Sequence, residues 1–221
     1  MTRPHEDLER HTPTDHRPGG VPIDFAPGAW CAVDVVHVKA NRVDAGISAY
    51  ETLIEKARTA APHARTAVEL RSVNDRRVIV LVAIDGHVAF RHLQTAWDDH
   101  HLNADRHAVA ESTALALYRV IASTGTATLD PESKDAYAFE RVARAPDRIQ
   151  TLVPVIAAAP GFRGLVVLGS DDASTSAIVY RFAHAAEFDA FRASAAARQS
   201  LGATGESGES VAAVHPVRTF G

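Results

Sequence analysis

The sequence predicts an α+β protein in which two tandem β-α-β-β-α-β units pack sheet to sheet within one chain. Three observations carry this expectation. Shifting the chain by 98 positions lays residues 62–120 over 160–218 without a gap, and 9 of the 59 paired positions are identical. The order of elements repeats as well, and a repeated supersecondary unit shows in its pattern before it shows in identity. ARTAVEL answers to FRGLVVL, VIVLVAI to AIVYRF, a helix with Phe90 to one with Phe188, and ESTALALYRV to ESVAAVHPVR. Finally, the central strand is apolar on both faces, with Val78, Val80 and Val82 on one and Ile79, Leu81 and Ala83 on the other. A strand apolar on both sides needs cover on both sides. Packing the two sheets together, with helices outside, supplies it.

In chain order, residues 1–26 are rich in Pro, His, Thr, Asp and Gly and cannot bury enough surface to offset their ordering entropy. A disordered tail is expected there, with Ile23 and Phe25 pinning its end to the body. His5, His11 and His16 follow no metal-ligand spacing. Trp30 opens a strand, WCAVDVVHVK, interrupted by Asp34 and His37 on opposite faces. Ile47, Tyr50, Leu53, Ile54 and Ala57 recur at three- and four-residue steps, which predicts an amphipathic helix over 44–60. Two strands follow around the turn Ser72–Arg76. The helical pattern from His87 to Ala110 is expected to break at Asn103-Ala104-Asp105, and Thr113–Ile121 reads as the fourth strand.

The first half thus covers 27–125. Gly125, Asp130, Pro131 and Ser133 mark 126–135 as a linker. The second half, 136–221, repeats the order. Its first helix has Pro146 in the first turn and an interior Pro154 that kinks it. A helix is expected over Glu187–Leu201, and GATGESGES reads as a polar loop. Pro216 places the last strand at a sheet edge or makes it end there. Each β-α-β-β-α-β unit is a ferredoxin-like fold, so the two close into an α+β barrel.

Composition bounds the function. Apolar content is 46%, and the formal net charge of −4 argues against nucleic acid or an anionic membrane as main partner. No apolar run reaches the roughly 20 residues of a membrane span, and the first twenty residues have no secretory h-region, so a cytoplasmic protein is expected. Cys31 is the only cysteine, which excludes an internal disulfide and a cysteine-based zinc site. No GxGxxG, P-loop or HExxH sequence is present.

The two halves differ where chemistry would lie. HLQTAWDDHHLNADRH carries Trp97, His100, His101 and His107, whereas its counterpart in the second half carries no Trp or His. Trp97 and His101, four apart, would share one helix face. An imidazole beside an indole at the edge of an apolar pocket suits proton removal from a phenol or a stabilised carbanion. The plain alternative is a solvated helix end. A metal site on these histidines is geometrically poor, because their directions diverge. Glu69 and Arg71 project from one strand face, where Arg71 would hold an anionic intermediate and Glu69 orient it, or the two form a rim ion pair. His37, Tyr118 and His215 sit within apolar strands, where half-buried polar side chains are common.

The strand followed by a helix with aromatic and His or Phe, AIDGHVAFRHLQTAW and RFAHAAEFDAF, resembles the dimeric α+β barrel superfamily, antibiotic-biosynthesis monooxygenase type, as a fused pair over about 30–220. The resemblance implies a cofactor-independent monooxygenase acting with O₂ on a small aromatic, polyketide-like substrate of secondary metabolism. Polyketide cyclases or isomerases and haem- or small-ligand-binding modules share the fold, which leaves function to the site. With that reading, His101, Trp97 and Arg71 are the catalytic candidates, and His37, Tyr118, His107 and Glu69 the substrate-binding ones. No metal and no cofactor are expected, haem or flavin being the alternatives, and a homodimer of pseudo-dimers is an open assembly.

Overall fold

The computed structural model describes residues 25–40, 43–61, 64–72, 76–98, 100–126, 128–130, 133–201 and 210–220. Most of the expected tail, the hairpin residues 73–75 and the loop 202–209 lie outside them.

Among the described residues the first half runs β1 (Trp30–Val38), α1 (Val43–Ala60), β2 (Ala64–Ser72), β3 (Arg77–Ile84), α2 (Gly86–Asp98), α3 (His100–Val109) and β4 (Ala110–Gly125). The second runs β5 (Ala136–Val142), α4 (Pro146–Gln150), α5 (Val153–Ala157), β6 (Phe162–Ser170), β7 (Ser176–Phe182), α6 (Ala185–Ala193), α7 (Ala195–Leu201) and β8 (Ser210–Phe220). The chain is α+β with antiparallel pairing throughout, and the described strands close a barrel in the order β1-β3-β2-β8-β5-β7-β6-β4. The two hairpins keep one register at a spacing of 98, with Glu69 opposite Val80 and Val167 opposite Ile178.

Period-two alternation sorts the side chains. On β1, Cys31, Val33 and Val35 turn into the barrel and Ala32 and Val36 turn outward under the helices. The barrel interior is filled by both halves, Leu70, Ile79 and Leu81 meeting Tyr137, Phe139, Val166 and Leu168. Phe25 is buried in this same core, so the end of the N-terminal stretch is pinned as expected. Two further cores lie between sheet and helices, one per half.

Several boundaries differ from expectation. The helical stretch divides between Asp98 and His100, not at Asn103–Asp105, which lie inside α3. The helix over Glu187–Leu201 divides at Ser194, whose extended backbone (ψ 152°) ends α6. Pro154 stands in the first turn of a separate short helix, α5, where its missing N–H costs nothing, rather than kinking one long helix. β4 is 16 residues long because it serves two neighbours, β1 along Ala110–Arg119 and β6 along Tyr118–Gly125. β8 pairs with both β2 and β5, but Pro216 lies past the last β5 pair at Val214 and at a register shift against β2, so its side towards β5 is unpaired, as expected of a proline at an edge.

At the far end of β4, Gly125 stands opposite Gly164. A Cβ on Gly164 would run into the Thr126 carbonyl, and Gly125 has φ +65° with Arg163 O where its Cβ would go. The seam closes there because neither residue has a side chain.

Candidate active site

An acid in an apolar strand has to find a partner or stay neutral. Asp34 is in the middle of β1, 3% exposed, and faces α1 and α3. Tyr50 Oη on α1 donates to Asp34 Oδ2 at 2.5 Å, and Arg106 Nη2 on α3 donates to the same oxygen at 2.8 Å. The other oxygen, Oδ1, is buried and held by no side chain among the described residues, while the Ala114 backbone N–H also approaches the carboxyl and pulls its pKa down. Burial, the largest influence, raises the Asp34 pKa above its ordinary 3.8, against the pull of the Arg106 charge and the Tyr50 hydrogen bond. Tyr50 is pushed well above its ordinary 10.0 by burial and by the Asp34 charge, so it remains a hydroxyl donor at neutral pH.

Trp97 completes the group. Its ring stacks on Tyr50 (centroids 5.9 Å apart, planes 7° apart), and the Arg106 guanidinium lies over its other neighbourhood at 4.7 Å from the ring centroid. Arg106 therefore answers both a carboxylate and an indole, an arrangement suited to a planar delocalised cation. Trp97 on α2 and Arg106 on α3 meet because they belong to two helices, whereas nine residues along one helix would stand about 13 Å apart. Together Asp34, Tyr50, Trp97, Leu93, Val80 and Leu115 line a cavity of ≈ 20 Å³, enclosed between the helices and the outer face of the first half's sheet. A volume of that size takes about one water-sized guest.

The second half has a counterpart. Glu140 on β5 pairs with Ile178 as Asp34 pairs with Val80, and the two β-hairpin partners, Val80 and Ile178, are 98 apart. Its Oε2 accepts from Tyr180 Oη at 2.9 Å and its Oε1 from Arg192 Nη2 at 2.7 Å. Here the tyrosine comes from β7 and the arginine from α6, and both carboxylate oxygens are engaged. Burial raises the Glu140 pKa above 4.5, against the Arg192 charge. Phe188 and Phe191 fill the space beside Tyr180, where the first half keeps its cavity.

The residues singled out from the sequence scatter. Trp97 lines the cavity. His101 lies on α3 and Trp97 on α2, so the two do not share the face of one helix, and the His101 and His100 side chains lie outside the described residues. His107 is exposed near the end of α3, its carbonyl accepting from Lys39 Nζ at 2.6 Å. Glu69 is fully buried and Arg71 donates to its Oε1 at 2.8 Å while also pairing with Glu51 of α1, so the pair is an ion-pair cluster beside the cavity and not in its lining. Tyr118 turns into the barrel and His37 shares the inward face of β1, half-buried. The His215 side chain is outside the described residues. No group of three or more His, Cys, Asp or Glu side chains arranged to hold a metal occurs among the described residues.

Asp34, Tyr50 and Arg106 were not among the sequence candidates. Asp34 showed only as an interruption of an apolar strand, and Tyr50 as one apolar-face residue of α1.

No protein-family model matches the chain, and none of the curated proteins compared with it does. Solved structures do match. An anthrone oxidase-like protein is 14% identical and superposes with a TM-score of 0.69, over 90% of this chain and 96% of its own. A protein assigned as a monooxygenase from Fusobacterium nucleatum follows at 11% and 0.57, over 88% and 95%. A chlorite dismutase variant from Candidatus Nitrospira defluvii superposes at 9% and 0.54, over 86% and 92%. The chain has the fold of these monooxygenase-like proteins. That fold is the one the sequence pattern resembles, and identities this low speak for architecture alone.

Proposed function

We propose that the chain is a cofactor-independent oxygenase, cytoplasmic and part of secondary metabolism, which oxidises a planar, electron-rich aromatic molecule of polyketide type in the helix–sheet site of its first half. The observation that carries this reading is the Asp34 carboxylate, buried in an apolar cavity walled by an aromatic pair with one oxygen that no other side chain holds. A raised pKa makes a carboxylate a better general base near neutral pH. Oδ1 takes a proton from an acidic C–H or phenolic O–H, while Tyr50 and Arg106 hold Oδ2 and fix the group's orientation. The positive charge of Arg106 favours the enolate or phenolate that results. Trp97 and Tyr50 offer ring faces to a planar substrate.

The chemistry balances without an added reductant. The deprotonated carbon gives its electrons to O₂ and forms a C–O bond, the peroxide receives the proton, and loss of water leaves a ketone. One CH₂ and one O₂ thus become one C=O and one H₂O. The fold likeness to an anthrone oxidase-like protein supports a reaction of this kind. A cavity of ≈ 20 Å³ is far smaller than the ~300 Å³ or more of typical ligand sites, so the substrate enters when α2–α3 and the sheet part.

The halves are read as tandem copies that have diverged. The common hairpin register and the buried acids Asp34 and Glu140 at matching strand positions support this. In the second copy both carboxylate oxygens are held by side chains and Phe188 and Phe191 fill the space of the cavity, so it serves as the barrel's other side.

Oxygen uptake with anthrone as substrate tests the function. One O₂ consumed per anthraquinone formed, by protein whose absorption spectrum lacks haem and flavin bands, is the expected result. Conversion at full rate without O₂ would make the protein a cyclase or isomerase using the same base, and tight binding without conversion would make it a binding module.

A further inference from the structure

A second and much larger hollow lies one side-chain layer from the cavity. It is a cleft of ≈ 540 Å³ at the mouth of the barrel, where β4 has left β6 and runs on beside β1 alone. Its apolar floor is Phe90 of α2 with Leu117 and Tyr118 of β4, and its polar side is Arg141 of β5 with the β6–β7 turn, 170–175. The turn is held in shape by Asp172, which accepts from Ser170 Oγ at 2.6 Å, Ser174 Oγ at 2.8 Å and Ser174 N at 3.1 Å. Across the mouth, His87 Nε2 of the first half faces Asp171 Oδ1 of the second at 3.5 Å.

The cleft and the cavity share one seam. Phe90, Leu93 and Trp97 follow one another at three- and four-residue steps along the inner face of α2, and Leu117 and Leu115 are successive outward residues of β4. Phe90 and Leu117 line the cleft, whereas Leu93, Trp97 and Leu115 line the cavity. Two residues along a strand span about 7 Å, which is the thickness of the partition. Phe90 is only half-buried, unlike Leu93 and Trp97 on either side of the seam's inner end.

We propose that this cleft is the outer part of the same site, an inference resting on the function proposed above. It takes the body of a planar hydroxylated aromatic, ring against Phe90 and the β4 edge at Leu117 and Tyr118, a phenolate towards Arg141 and hydroxyl groups donating to the carboxylates of the 170–175 turn, and Phe90 moving against Leu117 opens the route to Asp34. A cleft of ≈ 540 Å³ falls within the ~300–1,000 Å³ of ligand sites, which the inner cavity does not. Residues of both halves are needed to build it, so the second half contributes to substrate capture although its own helix–sheet space is filled.

The test reads access to Trp97 and needs no turnover. Cys31, the single cysteine, is fully buried and burial pushes its thiol up to about 12, so an introduced exposed cysteine is labelled selectively. In a Trp30→Phe background Trp97 is the one remaining tryptophan. Ser174→Cys labelled with N-cyclohexylmaleimide, which fills the cleft, is expected to lower acrylamide quenching of Trp97 several-fold. The same label at Ser48→Cys on the exposed side of α1 should leave quenching unchanged, and Phe90→Ala should raise it. Unchanged quenching on labelling at 174, or an equal fall on labelling at 48, overturns the inference. The two readings fail separately: anthrone oxidation with label-insensitive quenching removes the route and keeps the oxygenase, whereas label-sensitive quenching without oxidation does the reverse.

Discussion

At Asp34 a charge has been taken out of water and only partly answered. Arg106, itself 11% exposed, supplies the counter-charge. Removing one partner of a buried pair typically costs about 3–5 kcal/mol, because the other charge is left uncompensated. Arg106→Met is therefore expected to lower stability by about that amount at pH 7 in denaturant unfolding, with a smaller loss at lower pH as the carboxyl takes up its proton. The pH dependence follows from the direction of the shift. A carboxyl whose folded pKa lies above its unfolded value binds protons more strongly when folded, so its contribution is present below the unfolded pKa, 3.8 here, and is lost as pH rises through the folded value. Asp34→Asn should accordingly flatten the fall of stability above about pH 4 relative to wild type; parallel curves for the two proteins would show that Asp34 does not titrate differently in the folded state. Trp97 was legible in the sequence because the matching helix of the second half has no aromatic there. Asp34, Tyr50 and Arg106 were not, since the partners stand 16 and 72 residues from the acid and only topology brings them together.

α1 owes its closeness to β1, and hence the reach of Tyr50 to Asp34, to Gly46. A Cβ at that position would stand 2.5 Å from Val38 Cγ1. Gly46→Ala should push helix from strand and cost about 1–3 kcal/mol, as overpacking does, and should weaken the Tyr50–Asp34 hydrogen bond; urea midpoints and the Trp97 emission maximum report the two effects. An unchanged midpoint would mean that Val38 turns aside freely. Strands and helices were readable from period and composition to within a few residues, and the antiparallel α+β class with them. Helix breaks were misplaced because Asn103 and Asp105, turn-prone in isolation, are tolerated inside α3, whereas the break before His100 is fixed by packing of Trp97 and Arg106. Pro216 was legible, since a residue without an N–H fits where β8 has run past β5 and shifts register against β2.

Across the whole molecule, the barrel interior belongs to neither half. Leu70, Ile79 and Leu81 on one side and Tyr137, Phe139 and Val166 on the other are at most 2% exposed only because they face each other. Residues 27–125 expressed alone would present that face and the edges of β2 and β4 to solvent, a template for pairing. Size-exclusion chromatography should then show a dimer or larger species; a stable folded monomer would contradict a shared core. Within the closed barrel the two buried acids differ, since one Asp34 oxygen is held by no side chain and faces a cavity, whereas Glu140 has both oxygens engaged.

That difference makes the most direct test of the account. Steady-state oxygen uptake with anthrone is compared for wild type, Asp34→Asn and Glu140→Gln, with circular dichroism confirming that all three are folded. A general base contributes typically about 10²–10⁴ in rate, so Asp34→Asn should lose kcat by about that factor, while Glu140→Gln keeps wild-type turnover. Wild-type turnover in Asp34→Asn, or loss in Glu140→Gln alone, would place the chemistry elsewhere and contradict the assignment of the first half as the working site.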